Sequence, residues 1–351
     1  MDFLKEIKSK AKTLQKRIVF PESFDDRTLQ ALEVILNEQT AQPILLGKTQ
    51  EIQAQAAKLG LKIDWNKVKI IDPKDPTYLQ KYTDELYNLR KDKGLTKDQA
   101  AKLLENHDYF GVMAVHMDDA EGMISGAVGT TAETVLPALQ IIKTKEKFHK
   151  VSGIFFMVLE KRLLLFADCA VNIEPDSHEL ADIAIDTAET ALRFGLVPKI
   201  AMLSFSTNGS AKHPLANKVR EATQMVKFRR PDLIIDGEMQ VDAALVPNIC
   251  ATKFPGSALH GDANILIFPD LQAGNIAYKL VERLAGAKAI GPILQGLQKP
   301  INDLSRGCSF HDIADLAAFT SCESQEIHYE LKAEAMHEIV RSHKDTKGKS
   351  L

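Results

Sequence analysis

The chain has 351 residues, of which 45% are hydrophobic and 26% charged; 44 Lys and Arg face 47 Asp and Glu, for a net charge of −3. Such a chain is globular and long enough for two cores. Its balanced charge excludes a general attraction to nucleic acid or to an anionic membrane, so an anionic substrate has to be held by individually placed arginines.

In chain order, the N-terminal MDFLKEIKSKAKTLQKR puts Phe3, Leu4, Ile7, Ala11 and Leu14 on one helical face. It reads as a packed amphipathic helix and not as a secretion signal. No apolar run is long enough to span a bilayer, and the expected location is the cytoplasm. Short, mostly apolar runs then alternate with helical patterns. Strands are expected at Arg17–Phe20, Pro43–Leu46, Val68–Asp72, Tyr109–His116, Val151–Leu159, Leu163–Val171, Lys199–Phe205, Leu233–Asp236 and Asn264–Phe268. Thr96-Lys97-Asp98-Gln99 is a capping box that opens a helix. A helix over Ser177–Phe194 buries Leu180, Ile183, Ala184, Thr187, Ala188, Ala191 and Leu192, with Ser177 as N-cap and Gly195 as its left-handed stop. The alternation predicts an α/β fold with mainly parallel sheet. The charged KTKEKFHK at 143–150 marks the expected domain boundary, and Cys322–Leu351 reads as a helix followed by a basic tail.

The four cysteines (Cys169, Cys250, Cys308, Cys322) form no CxxC pair, and the ten histidines form no HExxH pattern. A disulfide framework, a zinc ribbon and a dedicated metal site are therefore not expected. Four other segments carry candidate chemistry. In NDLSRGCSFHD, Ser305, Arg306 and Asp312 combine a hydroxyl, a phosphate-clamping guanidinium and a carboxylate ahead of an apolar helix, Ile313–Phe319. By spacing alone the plainer reading is a capped turn, with Ser309 or Asp312 as N-cap and Arg306 paired to Asp303. In Ile124–Gln140 a Gly- and Thr-rich turn, including Gly129, Thr130 and Thr131, opens a helix whose N–H groups suit phosphate; taken alone, an ordinary capped helix is the plainer reading. Ser204–Ser210, with Ser206, and Phe268–Asn275, with Asn275, follow expected strands, where open α/β sheets bind ligands; both also read as strand–helix turns.

Beyond these local readings, the chain resembles the phosphate acetyltransferase (phosphotransacetylase) family up to about Ser321. The resemblance rests on IVFPESFDDRTLQA, LRKDKG, TTAETVLPALQIIKT, LFADCAVN, AMLSFSTNGS, VREATQMVK, PDLIIDGEMQVDAALVP, NILIFPDLQAGNIAYKL and AIGPILQGLQKPINDLSRG. It implies reversible conversion of acetyl phosphate and coenzyme A to acetyl-CoA and phosphate. Coenzyme A is then a substrate, and no cofactor or metal is bound. It also implies two α/β domains with largely parallel sheets flanking a cleft, as in the isocitrate/isopropylmalate dehydrogenases. The domains are expected at 1–146 plus 301–351 and at 147–300, the second making a homodimer. The family's Ser-Arg pair falls on Ser305 and Arg306, its base on Asp312, and a further substrate arginine on Arg90. Its other arginine, before the proline of TVxPALQ, is replaced here by Leu136. One charge-assisted bond of about 1.5–3 kcal/mol is thereby open to loss or to replacement.

The implied chemistry needs a thiolate from a thiol of pKa about 8.5, whereas an ordinary aspartate lies near 3.9, a gap of roughly 6 kcal/mol. Asp312 is therefore expected to be dried on cleft closure while Arg306 and Arg90 favour the thiolate. Direct attack follows, with Ser305 donating to the oxyanion. Two other readings remain: a butyryl or other short-chain acyltransferase, and a non-catalytic ligand-binding or regulatory protein on the same scaffold.

Overall fold

The computed structural model describes residues 3–144 and 150–325. Its strands are β1 (Arg17–Phe20), β2 (Gln42–Leu46), β3 (Lys69–Ile71), β4 (Gly122–Ile124), β5 (Ser152–Val158), β6 (Leu163–Ala167), β7 (Lys199–Leu203), β8 (Ile234–Met239), β9 (Ile265–Ile267), β10 (Lys288–Gln295) and β11 (Ile301–Asn302). They form two sheets, ordered β11-β4-β1-β2-β3 and β10-β5-β6-β9-β7-β8. The first is parallel throughout, so the carboxyl ends of β1, β4 and β11 share one edge. In the second, β6, β9, β7 and β8 run parallel, while β5 and β10 pair antiparallel at its other side. The α/β expectation therefore holds, with an antiparallel edge that the apolar runs did not reveal.

The helix Phe3–Leu14 buries Ile7 and Ala11 as its periodicity requires. The expected strand at Tyr109–His116 is instead the helix His107–His116, capped by the Asn106 side chain on the N–H groups of Asp108 and Tyr109. Every residue from Tyr109 to Val115 is buried, and a short run that is apolar on all sides carries no period to separate helix from strand. Gly111 lets this helix close on the sheet: a Cβ there would lie 2.8 Å from Met123 Sδ. The strand expected at Leu163–Val171 ends at Ala167. The long helix spans Ser177–Arg193 with Asp176, not Ser177, as N-cap, and Gly195 does turn left-handed at φ 79°. The expected boundary at 143–150 and the tail beyond Cys322 lie largely outside the described residues.

The two sheets meet over a shared apolar core. Phe156 of β5 lies 5.8 Å from Phe3, 5.0 Å from Phe194 and 5.0 Å from Phe319, ring centre to ring centre. Each such aromatic pair contributes about 0.5–1.5 kcal/mol beyond its burial. Beside this cluster the buried Asn302 amide takes the Leu294 N–H and donates to Thr320 Oγ1 and Glu323 Oε2. That amide ties β11 to β10 and to the helix Phe310–Glu323, immediately before the loop that carries Ser305.

Candidate active site

Three of the loops that leave the carboxyl edge of the first sheet meet: those after β1, β4 and β11. Glu22, after β1, accepts the N–H groups of Ala127 (2.7 Å), Val128 (2.9 Å) and Gly129 (2.9 Å). The Gly/Thr-rich turn thus directs these donors onto the protein's own buried carboxylate. Thr130 is the N-cap of the helix Thr131–Ile141, and its N–H and hydroxyl both donate to Glu133. Thr131 donates its hydroxyl to Asp303 Oδ2 at 2.6 Å, joining the β4 loop to the β11 loop. Asp303 is 1% exposed. Burial pushes its carboxyl up to about 6, against the opposing bond from Thr131. Gly126, at φ +101°, permits this approach: a Cβ there would stand 2.1 Å from Asp303 Oδ1.

Arg27 draws all three loops together. Its Nη1 donates to the carbonyls of Arg306 (2.8 Å) and Cys308 (3.2 Å), and its Nη2 to the Ala127 carbonyl (2.7 Å). Asp25 holds the guanidinium from behind through Nε and Nη2, at 2.9 Å each. In the loop so held, Ser305 is half-buried and its hydroxyl is 3.4 Å from the Gly307 N–H. The Arg306 side chain is exposed. Its charge reaches Glu133, whose carboxyl is held below its usual range first by Thr130 and further by Arg306. Asp303 is turned inward to Thr131, away from the pairing with Arg306 that the sequence left open.

Asp312 is the third residue of its helix. Its Oδ2 accepts the N–H and the hydroxyl of Ser309, each at 2.8 Å, in a capping box. Asp312 is thus held in the capping box through Oδ2 alone, which leaves Oδ1 to accept a proton. Cys308, beside the Ser-Arg pair, has its thiol pushed up to about 11, chiefly by burial, which disfavours its thiolate at neutral pH.

Arg90 ends the helix Pro76–Arg90 and donates to the Gln140 carbonyl at 3.3 Å; Tyr109 binds the Gln140 side chain at 3.0 Å. Arg306 and Arg90 thus mark opposite ends of the helix Thr131–Ile141, near Glu133 and Gln140. Those residues are about 10 Å apart along the axis. Leu136 lies between them on that face and is 50% exposed, with Leu139 and Val128 also exposed.

Among the described residues no hydrogen bond joins Ser206 or Asn275 to this group. Ser206 is fully buried; its hydroxyl donates to Glu238 and accepts the Ala211 N–H. Asn275 donates to the Cys169 carbonyl at 3.1 Å. Both brace the second sheet. Sequence reasoning missed Glu22 and Arg27, although both stand in PESFDDR directly after β1, where a parallel strand delivers its loop to a site.

The family described as "Phosphate acetyl/butaryl transferase" matches residues 2–321. The phosphate acetyltransferase of Thermoanaerobacterium thermosaccharolyticum is 48% identical over 332 residues, covering 93% of this chain and 100% of that protein. A phosphotransacetylase structure from Streptococcus pyogenes superposes with a TM-score of 0.84 at 47% identity, over 91% of this chain and 98% of that one. A candidate 4-hydroxythreonine-4-phosphate dehydrogenase from Salmonella typhimurium, at 10% identity, shares the fold with a TM-score of 0.51 over 88% of this chain and 99% of that one. The chain belongs to the phosphate acetyl/butyryl transferase family.

Proposed function

We propose that the chain is a phosphate acetyltransferase, an acyltransferase that moves acetyl reversibly between acetyl phosphate and coenzyme A in a ternary complex. The thiolate of coenzyme A attacks the acetyl carbonyl, the carbon–sulfur bond forms, and the carbon–oxygen bond to phosphate breaks. The Ser305 hydroxyl donates to the oxyanion, a role worth about 2.7–4 kcal/mol in comparable sites. Arg306 and Arg90 take the negative charge of the phosphoryl group and of coenzyme A. Asp312 takes the thiol proton on Oδ1, the oxygen that Ser309 does not engage. Gly129, Thr130 and Thr131 serve mainly by setting the loop, since their donors bind Glu22, Glu133 and Asp303. Ser206 and Asn275 are framework residues in this reading. The observation that carries it is the half-buried Ser305 beside the exposed Arg306, in a loop fastened at the carboxyl edge of parallel strands.

The exposed side chains of Leu136 and Leu139, three residues apart on the helix Thr131–Ile141, favour a second reading, a wider acyl range that includes butyryl phosphate. Purified protein supplied with coenzyme A and either acetyl or butyryl phosphate decides between them by kcat/KM for thioester formation. Thioester from neither would favour the non-catalytic reading. We assign residues 1–146 plus 301–351 to one domain and 147–300 to the other. Homodimerisation through the second is supported by Ile276, Leu280 and Leu284, which are exposed four residues apart on the helix Leu271–Ala285. A cytoplasmic location accords with coenzyme A as an intracellular substrate.

A further inference from the structure

We propose that Arg27 is a positioning residue that sets the Ser305–Arg306 loop against the loop after β4, without touching substrate. This rests on the acetyl-transfer reading above. Three separate segments supply its acceptors: Asp25 after β1, Ala127 after β4, and Arg306 with Cys308 after β11. Its Nε and both terminal nitrogens all donate within the protein. A guanidinium so engaged offers little to an incoming phosphate, whereas Arg306 keeps its side chain exposed. Two of the carbonyls it holds flank Gly307, so the bonds constrain the backbone on which the Ser305 hydroxyl and the Arg306 side chain are mounted. The rigid planar fork fits this geometry, because a lysine ammonium is a point charge and cannot span the Arg306 and Ala127 carbonyls while keeping two bonds to Asp25.

The purpose follows from the reaction. An oxyanion donor works only where the oxyanion will form, and a displacement of about 1 Å costs on the order of 100-fold in rate. Leu304, just before Ser305, enters the apolar core, and Asp303 is bound to Thr131, so one side of the loop is fastened from within. The segment Arg306–Cys308 is exposed or half-buried, and Arg27 supplies its fastening from outside.

The test compares wild type with Arg27→Ala and Arg27→Lys by steady-state kinetics and by hydrogen exchange over residues 303–309 and 125–130. Expected for Arg27→Ala is a fall in kcat of about 10–100-fold with KM for acetyl phosphate and for coenzyme A changed less than about two-fold. Free guanidinium should recover part of kcat, and Arg27→Lys should fall between the two. Exchange should quicken in those two segments and stay unchanged in β7 and β9. A rise in KM at unchanged kcat would make Arg27 a substrate ligand and overturn the proposal. So would unchanged exchange in 303–309, or an activity loss that tracks only the fraction of folded protein. If Arg27→Ala does not fold, Arg27→Lys carries the same readouts. If wild type forms no thioester, the acetyl-transfer reading fails by itself, while the exchange measurement still tells whether Arg27 holds the loop.

Discussion

Asp303→Asn isolates the energetic consequence of placing a carboxyl beneath the Ser305 loop. The rise of the Asp303 pKa from 3.8 to about 6 corresponds to about 3 kcal/mol, at about 1.36 kcal/mol per tenfold change in acidity. The sign is set by burial, which favours the neutral acid in the folded state. Its contribution is fully present below pH 3.8 and is lost as pH rises through about 6. Roughly half of that loss, about 1.4 kcal/mol, falls between about pH 5 and pH 8. The asparagine variant has no proton to lose, so urea unfolding should show it gaining about that much on wild type over this interval. Comparing two pH values cancels the constant difference from the altered bond to Thr131. A difference that stays flat would show that Thr131 and the backbone offset the burial and keep the carboxyl ionised across this interval.

Ser305→Ala should lower kcat by about 100–1,000-fold with little change in KM, read by steady-state thioester formation; a change mainly in KM would make Ser305 a ground-state binder. Leu136→Arg places a guanidinium between Arg306 and Arg90 and should lower KM for acetyl phosphate about ten-fold or more, the equivalent of a charge-assisted bond. An unchanged KM would show the anion site to be complete without it. Asp108→Asn should repeat the pH signature of Asp303→Asn, since burial also pushes Asp108 up to about 6, and parallel urea curves at about pH 5 and pH 8 check it. Leu280→Glu should dissociate a dimer in sedimentation experiments by placing a charge on the apolar stripe of Leu271–Ala285; an unaltered sedimentation profile would remove that stripe from the interface.

Much of the scaffold was legible because the cues are local. β1 falls where RIVF reads as a strand, and the capping box at Thr96 and the left-handed stop at Gly195 stand where they were expected. The helix His107–His116 was misread because uniform burial erases periodicity. β11, only Ile301–Asn302, was invisible because its pairing with β4 spans about half the chain. Among the candidate site residues, Ser305 and Arg306 stand in the long block AIGPILQGLQKPINDLSRG and Arg90 in the short LRKDKG, while spacing left the cap open between Ser309 and Asp312 and the structure gives it to Ser309.

The amino-acid sequence alone determined the α/β alternation and the family resemblance, with leucine at position 136 where that resemblance leads one to expect arginine, since each is a property of residue order. Only the tertiary structure decided which donors remain available to a ligand. It turned Glu22 onto the backbone of the Gly/Thr-rich turn, buried Asp303 until its acidity changed, and brought the Arg27 guanidinium to carbonyls 279 and 281 residues away. Burial and long-range hydrogen bonding depend on what surrounds a side chain in space, and spacing along the chain does not encode that environment.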